Sequence, residues 1–467
     1  MLQLQASRSQ TELALPWLDG LRRFEQAQGA LSPSFVRRRQ RMALVGCSVS
    51  VLFGIGWGSY FALIGMIFPA LMNMLGVAMG VGGLALLRLR LPRSAALVFL
   101  ATGLVVLPVL IVVAEVPDAN IPRTLHLVLV PLAIAAFFLA QHEPKGVRFG
   151  LPLLIFAAFC VLSVLPPTGA VSLMSDDQRR AGVNIDAVVT AVLVYVMLVI
   201  MLREAREKSA MERDFARALA SRQLQVFLQA QCTADGHVVG AEALMRWHHP
   251  RRGFISPAEF VPVAEASGLI VPAGEFVLGE VCRLLDQWQA DSALRDIAVA
   301  VNVSPAQLFS GESTRRLQDL VPPRLAERQL VKFELTESLF VHDIDAVQSL
   351  MHAIRAQGIR ISLDDFGTGY SSLSYLKKLP LDQLKVDQSF VRDMPHDDGA
   401  CKIARSIVQL GADLDLEVIA EGVESADQVT ALTAMGCQLF QGYLFAKPLP
   451  AADFEALARE RALARAA

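Results

Sequence analysis

Charged residues are scarce in this chain, and they do not gather into a basic surface. Asp, Glu, Lys and Arg make up only 19% of the 467 residues, and the formal net charge is −2. No block of Lys and Arg with interleaved aromatic residues occurs, which argues against a DNA or RNA polymer as partner. Hydrophobic residues reach 53% and the mean hydropathy is +0.43, which is too apolar for an ordinary soluble protein.

Cysteines are few and dispersed. No Cys-x-x-Cys or mixed Cys/His pattern is present, so neither a zinc site nor a disulfide framework is expected. We interpret the cysteines as isolated, small, buried hydrophobic residues. They are Cys47, Cys160, Cys232, Cys282, Cys401 and Cys437.

The excess of apolar residues lies before residue 203, in about six segments. Several approach the roughly 20 residues that cross a bilayer core. We therefore predict a cytoplasmic N-terminal segment at 1–42 and a transmembrane region of about six helices at 43–202, in contact with the lipid bilayer. The predicted spans are 43–61, 66–87, 95–114, 125–141, 149–166 and 183–202. The fourth and the fifth are short, and either could be a partial span.

Basic residues favour one side of this region. Arg37 to Arg41, Arg88 to Arg93, Lys145 with Arg148, and Arg203 to Lys208 fall in alternate loops, which predicts that those loops are cytoplasmic. About 40 mostly polar residues precede the first span, so no cleavable signal peptide is expected. The region is interpreted as a sensor or an anchor. His126 and Asp186 lie in or beside spans and are either functional or simply solvated near an interface.

Residues 203–222 are rich in alternating charges and good helix formers, with no Pro or Gly. This pattern predicts a helical connector that continues out of the sixth span. It either transmits movement to the following domain or acts as a solvated spacer.

The second half of the chain repeats one pattern. Short apolar, β-branched runs each end in a polar residue, at intervals near the roughly 25–35 residues of a βα unit. Polar side chains at the C-terminal ends of barrel strands converge on one face, and carboxylates gathered there repel unless a cation lies among them. The residues are Glu242, Asn302, Glu334, Asp364 with Asp365, Lys385 with Asp387, Glu421 and Gln441.

Several ordered sequence blocks over about residues 212–460 resemble the EAL-domain family, the bacterial phosphodiesterases of cyclic di-GMP. The blocks include Ala241-Glu-Ala-Leu-Met-Arg-Trp247, Val301-Asn-Val-Ser-Pro-Ala-Gln-Leu308, Leu363-Asp-Asp-Phe-Gly-Thr-Gly-Tyr370 and Leu384-Lys-Val-Asp387. The resemblance implies an α/β domain with a modified TIM-barrel fold, closed by one antiparallel strand. With the membrane segments, it predicts a multi-pass protein of the bacterial inner membrane whose catalytic domain lies in the cytoplasm.

The resemblance also implies a site for two Mg²⁺ or Mn²⁺ ions. One ion would be held by Glu242, Asn302, Glu334 and Asp364, and the second would share Asp364 and add Asp365 and Glu421. Lys385 would position the attacking water, and Asp387 would bind metal-bound water or support Lys385. The general base is left open between Glu421 and a metal-bound hydroxide. Oxygen ligands are the type that Mg²⁺ prefers.

Further residues match the substrate side of the family. Gln229, Leu244 and Arg246 resemble its contacts to guanine and phosphate, and Gln441 and Pro448 lie in a block that lines its nucleotide site. The glycine-rich loop after Asp365 would couple contacts of a homodimer to the metal site, with Glu337 as its anchor.

The predicted reaction is hydrolysis of cyclic di-GMP to linear pGpG, and no Gly-Gly-Asp-Glu-Phe cyclase motif occurs. A catalytically silent receptor for cyclic di-GMP and a transporter with an appended regulatory domain are the alternatives.

Overall fold

A computed structural model describes most of the chain. It covers residues 20–22, 24–25, 33–113, 121–164, 174–337, 339, 344–367, 376–394 and 397–466. Two compact units divide the chain, Met1–Glu207 and Lys208–Ala467.

The first unit is helical. Its helices are α1 (Pro33–Leu63), α2 (Ile67–Arg88), α3 (Pro92–Val113), α4 (Leu129–Leu139, after a 3-10 turn at Leu125–Val128), α5 (Lys145–Val164) and α6 (Asp176–Ala220). A core of Leu100, Ile111, Leu129 and Leu132 joins α3 to α4. Many other large apolar side chains point outward, as Leu52 and Val164 do with 70% and 78% exposure. Such outward apolar faces suit a lipid environment.

Five of these helices are long and apolar enough to cross a membrane, and α4 is the exception among the described residues. The fourth predicted span, at 125–141, corresponds to a shorter apolar helix, Leu125–Leu139, which agrees with the expectation of a partial span. It consists of a four-residue turn and an 11-residue helix. At 1.5 Å per residue an 11-residue helix rises only about 17 Å, well short of a bilayer core of roughly 30 Å.

Helix α6 runs without a break through 45 residues, from the predicted sixth span into the predicted connector. Asp176 and Asp177 lie in its first turn, where negative charge is favourable. At 1.5 Å per residue the helix is about 68 Å long. The boundary between the two units falls inside this helix.

The second unit is a barrel with surrounding helices. Its strands are β1 (Leu224–Cys232), β2 (Val238–His249), β3 (Gly253–Ile255), β4 (Ala298–Asn302), β5 (Val331–Thr336), β6 (Arg360–Phe366), β7 (Gln383–Val386), β8 (Glu417–Ala420), β9 (Leu439–Gln441) and β10 (Leu449–Pro450). Its helices are α7 (Pro257–Ser267), α8 (Ile270–Trp288), α9 (Pro305–Leu308), α10 (Gly311–Leu320), α11 (Pro323–Glu327), α12 (Ile344–Ala356), α13 (Gln388–Asp393), α14 (Asp398–Asp413), α15 (Ala426–Ala434) and α16 (Ala451–Ala466).

Eight strands close the barrel in the order β1-β2-β4-β5-β6-β7-β8-β9. Strand β1 is antiparallel to both β2 and β9, and the neighbours from β2 through β9 are parallel. This confirms the expected barrel with one antiparallel strand. Capping boxes at Ser304 and Ser425 begin α9 and α15 a few residues after strands β4 and β8. Such caps satisfy the first backbone N–H groups of a helix and keep the strand-to-helix turns short.

Helices α7 and α8 are apolar enough to resemble a span but meet at a bend of 119°. Phe260 and Ala264 of α7 are buried against Phe215 and Trp247. Their apolar character is thus explained by packing on the barrel.

The prediction that all the cysteines are buried is wrong in part. Cys47, Cys232, Cys282 and Cys437 are buried, whereas Cys160 is exposed and Cys401 is half-buried. Cys160 lies on α5, whose outward face carries many exposed apolar side chains. There a small, weakly polar side chain costs little.

Candidate active site

The C-terminal ends of the barrel strands bring the predicted polar residues together. Asn302 ends β4 opposite Glu334 of β5. Asp364 lies in β6 and Lys385 in β7, and Glu421 directly follows β8. Side chains alternate between the two faces of a strand, so residues of one register can all face the barrel interior.

Lys385 lies at the centre of this group. Its Nζ atom is 2.9 Å from Glu334 Oε2, 3.3 Å from Asp364 Oδ2, 2.5 Å from Glu421 Oε1 and 3.7 Å from Glu242 Oε2. We call these five residues the Lys385 cluster. The ammonium is fully buried, and the carboxylates come from four different positions around the barrel.

The electrostatics show that one ammonium does not balance four carboxylates. Burial lowers the pKa of Lys385, but the surrounding carboxylates outweigh it and hold that pKa well above its usual value. Burial, followed by the charge of Glu242, raises the pKa of Glu334 well above its usual value. Burial also raises the pKa of Glu421 to about 8, although Lys385 opposes the shift. The cluster therefore favours any additional positive charge.

Both carboxylate oxygens of Glu242 accept a hydrogen bond from an amide. Asn302 Nδ2 donates to its Oε1 at 2.7 Å, and Gln441 Nε2 donates to its Oε2 at 2.5 Å. Burial raises the pKa of Glu242, but Lys385, Gln441 and Asn302 together bring it below its ordinary value. Glu242 is thus held as an anion, with its oxygens fixed in place.

The residues present fit a divalent cation. The side chains are carboxylates and an amide, which are hard oxygen ligands. Glu334 Oε1 is buried, and no hydrogen-bond donor reaches it from the part of the chain that the structure describes. Among those same residues, no three His, Cys, Asp or Glu side chains are already arranged as a metal site. The Lys385 ammonium contacts the carboxylates of Glu334 and Asp364. Asp365 lies in β6, but its side chain is outside the described structure.

Asp387 stands apart from the Lys385 cluster. Its side chain caps α13, where Oδ1 accepts a hydrogen bond from Ser389 N at 2.9 Å. The Ser389 hydroxyl donates to the same oxygen. This contact gives Asp387 a structural role, and its action on a water stays a prediction.

The predicted substrate residues lie beside the cluster on β1 and β2. Glu242, Leu244 and Arg246 share one face of β2 because they are two residues apart. Arg246 is half-buried, with Nη1 donating to Met245 O at 3.0 Å and its guanidinium 5.8 Å from the centre of the Phe227 ring. Burial lowers the pKa of Arg246.

Two amides and a proline complete this side. Gln229 pairs with Glu242 across the β1–β2 ladder and accepts a 3.4 Å hydrogen bond from Gln441. Pro448 is half-buried and directly precedes β10, which pairs with β1.

Glu337 contacts the start of the glycine-rich loop. Its buried Oε2 accepts a hydrogen bond from Gly367 N at 3.3 Å. Gly367 has a φ of +93°, a conformation that favours glycine. Residues 368–375, through which the predicted coupling would run, lie outside the described structure.

One residue that the sequence analysis missed orients the site. Gln231 is 3% exposed, and its Nε2 donates to Gln441 Oε1 at 3.1 Å, which leaves the Gln441 amide hydrogens for Glu242. It lies two residues after Gln229 on the same strand. The alternation of side chains along β1 was therefore the signal that could have identified it.

An eight-stranded barrel with one reversed strand and acidic residues at its strand ends defines a TIM-barrel-like domain. The family model described as EAL domain matches residues 212–448. The chain belongs to the EAL domain family.

Two curated relatives are similar over the same half of the chain. The bifunctional diguanylate cyclase/cyclic di-GMP phosphodiesterase MucR of Pseudomonas aeruginosa is 40% identical over 252 residues, 54% of this chain and 37% of MucR. The cyclic di-GMP phosphodiesterase PdeR of Escherichia coli is 40% identical over 245 residues, 52% of this chain and 37% of PdeR. The match thus spans little more than a third of the length of either relative.

Solved structures agree on the domain. The MucR phosphodiesterase in complex with c-di-GMP matches with a TM-score of 0.50 and 39% identity, covering 52% of this chain and 99% of that chain. An EAL enzyme with cAMP and cyclic di-GMP bound matches with a TM-score of 0.51 and 27% identity, covering 60% of this chain and 79% of that chain.

Proposed function

We propose that this protein is a membrane-anchored phosphodiesterase, dependent on Mg²⁺ or Mn²⁺, that hydrolyses one phosphodiester of cyclic di-GMP to give linear pGpG. The observation that carries the proposal is the Lys385 cluster, four carboxylates around one ammonium at the catalytic face of a barrel. The similarity to MucR and PdeR, which are described as cyclic di-GMP phosphodiesterases, supports the choice of substrate.

In this proposal the residues at the strand ends hold two cations and orient a water molecule. Glu242, Asn302, Glu334 and Asp364 hold one cation, while Asp364, Asp365 and Glu421 hold the second. When bound, two divalent cations polarise the phosphoryl oxygens, lower the pKa of a water and stabilise the leaving oxygen. Lys385 orients the attacking water, since its ammonium lies between the carboxylates of both sets.

The remaining assignments concern the substrate. Arg246 pairs with a phosphate through charge-assisted hydrogen bonds, for which a half-buried guanidinium beside the acidic site is suited. Leu244 and Pro448 contact the guanine base, and the amides of Gln229 and Gln441 hydrogen-bond to the nucleotide. Glu337 anchors the loop that follows Asp365, with its bond to Gly367 as support.

We place the anchor at residues 43–202, the connector at 203–222 and the catalytic domain at 212–460, in the cytoplasm at the inner membrane. The apolar helices and the basic loops support this arrangement. In this proposal the protein is a homodimer. A membrane or periplasmic signal would act on the catalytic domain through the loop that Glu337 anchors.

The test is turnover by the full chain in lipid nanodiscs. Cyclic di-GMP and Mg²⁺ are added, and the products are separated by liquid chromatography. Formation of pGpG that chelation of the metal abolishes supports the proposal. Tight binding of cyclic di-GMP without any pGpG would instead assign the protein to the silent receptors.

A further inference from the structure

The helical unit contains a cavity of about 240 Å³ that the proposed catalysis does not use. Helices α1, α2, α3, α4 and α6 contribute to its walls, and most of the lining is apolar, including Phe53, Val106, Leu132 and Leu193. An apolar cavity of about 150 Å³ is already large enough to hold benzene. This cavity therefore has room for a longer apolar molecule.

Two glycines on the cavity wall, Gly76 and Gly182, have open space where a side chain would project. A Cβ atom on Gly76 would meet only Val106 and Thr102, at 3.7 and 3.9 Å, and one on Gly182 would meet only the Trp57 ring at 3.6 Å. At Gly103 a Cβ would instead fall 2.3 Å from Leu132, so that glycine serves helix packing. Gly76 and Gly182 therefore leave room in the cavity, whereas Gly103 allows two helices to pack closely.

The cavity also has a polar wall on α6. Asp186 lines it, is 9% exposed, and accepts a hydrogen bond from Thr124 Oγ1 at 3.3 Å. Arg179 lines the same wall seven residues before Asp186, and its Nη1 atom lies 3.1 Å from Asp176 Oδ1. A carboxylate within an apolar span is costly and is by default a candidate functional group.

We propose that this cavity binds a single-chain amphiphile whose uncharged head donates a hydrogen bond to Asp186. The apolar lining takes the chain, and the carboxylate accepts the bond from the head. Asp186 disfavours an anionic head. A neutral hydroxyl enters an apolar cavity at a lower desolvation cost than a charged head. A cavity of about 240 Å³ matches one alkyl chain better than the two acyl chains of a phospholipid. The site does not depend on the proposed phosphodiesterase activity.

The test uses the full chain in nanodiscs and a photoreactive probe, dodecan-1-ol carrying a diazirine in its chain. Labelled peptides are mapped by mass spectrometry, with and without excess unlabelled dodecan-1-ol. We expect excess unlabelled dodecan-1-ol to reduce the labelling of cavity residues about tenfold, because competition of that size indicates a specific site. Labelling that is spread over lipid-facing positions and resists competition would overturn the proposal.

Gly76→Leu fills the cavity and should reduce the competed labelling about tenfold. Gly82→Leu is the matched control on the same helix, because Gly82 is exposed and a Cβ there meets nothing within 4 Å. It should retain the labelling. If Gly76→Leu does not elute as a folded protein, Gly182→Leu replaces it. Equal competed labelling in the filled and control variants would refute the site.

The head is tested separately with the diazirine-bearing dodecane that lacks the hydroxyl. The alcohol should label the cavity about tenfold more than the hydrocarbon, and Asp186→Asn should reduce that preference. Equal labelling by the two probes would overturn the assignment of the head to Asp186.

Discussion

The two ends of the barrel interior both hold buried charge, but in opposite proportions. At the C-terminal end, one ammonium serves the four carboxylates of the Lys385 cluster. At the N-terminal end, Glu417 is contacted by Lys332 at 3.4 Å, Arg360 at 3.3 Å and Gln383 at 2.7 Å. We call these four residues the Glu417 cluster.

The difference in charge distinguishes the Glu417 cluster, a structural network, from the Lys385 cluster, a site suited to a ligand. In the Glu417 cluster two cations and an amide share one carboxylate, whose side chain is 37% exposed and partly solvated. Burial lowers the pKa of Lys332 to about 8, and Glu417 opposes that shift. In the Lys385 cluster the excess charge is negative and an oxygen of Glu334 has no donor among the described residues. Only the second arrangement gains from a divalent cation.

The largest effect is expected from Asp364→Ala. Loss of a carboxylate shared by both proposed cations should reduce turnover of cyclic di-GMP about 10³-fold, with the fold retained. Turnover is measured as pGpG formed, and folding by circular dichroism. Ser362→Ala, two residues earlier in β6, removes a 3.0 Å bond to Gln383 at the other end and is the control, with turnover close to wild type. Near-normal turnover in Asp364→Ala would refute the metal assignment.

Lys385→Met removes the ammonium that offsets the carboxylates. The metal-free protein should lose about 3–5 kcal/mol of stability, because buried charges are left unpaired. Added Mg²⁺ should raise the melting temperature more in this variant than in wild type, since the cation takes over the neutralising role. Lys332→Met, in which Arg360 and Gln383 still contact Glu417, should lose less and respond to Mg²⁺ as wild type does. An identical Mg²⁺ response in both variants would contradict the comparison.

Replacing Mg²⁺ by Ca²⁺ should lower turnover while still stabilising the protein. Ca²⁺ has a larger radius and looser coordination, which suit a two-metal geometry poorly, yet its charge still offsets the carboxylates. Initial rates and melting temperatures in each metal give the two readouts. Equal rates in Ca²⁺ and Mg²⁺ would argue that geometry at the Lys385 cluster does not limit the reaction.

The smallest effect on turnover is expected from Glu417→Gln. The substitution removes the counter-charge of Lys332 and should cost about 1 kcal/mol, because Glu417 is partly solvated. The rate of pGpG formation should be unchanged. A fall in rate comparable to that of Asp364→Ala would show that the two clusters are not functionally separate.

The sequence was most informative where periodicity carried the signal. The spacing of polar residues after β-branched runs predicted the barrel and the convergence of Glu242, Glu334, Asp364 and Glu421, because parallel strands end on one face. The central position of Lys385 was not predictable, since it depends on how far a side chain reaches across the barrel. Asp387 follows β7 as predicted, but a local helix cap takes its carboxylate.

The helical unit was less predictable in detail. Hydropathy located the apolar stretches but not where each helix begins and ends, as at 125–141, where the apolar helix covers Leu125–Leu139. The cavity beside Asp186 was equally hidden, because it is formed by residues from helices far apart in sequence.

The ammonium of Lys385 has a consequence for how the protein would acquire the proposed cations. Lys385 offsets part of the negative charge of the cluster before any cation binds. An incoming ion must then compete with an amine already 2.5 Å from Glu421 and 2.9 Å from Glu334. That competition would weaken the affinity for the proposed cations below what four carboxylates alone would give, so occupancy of the site would respond to the concentration of free cation.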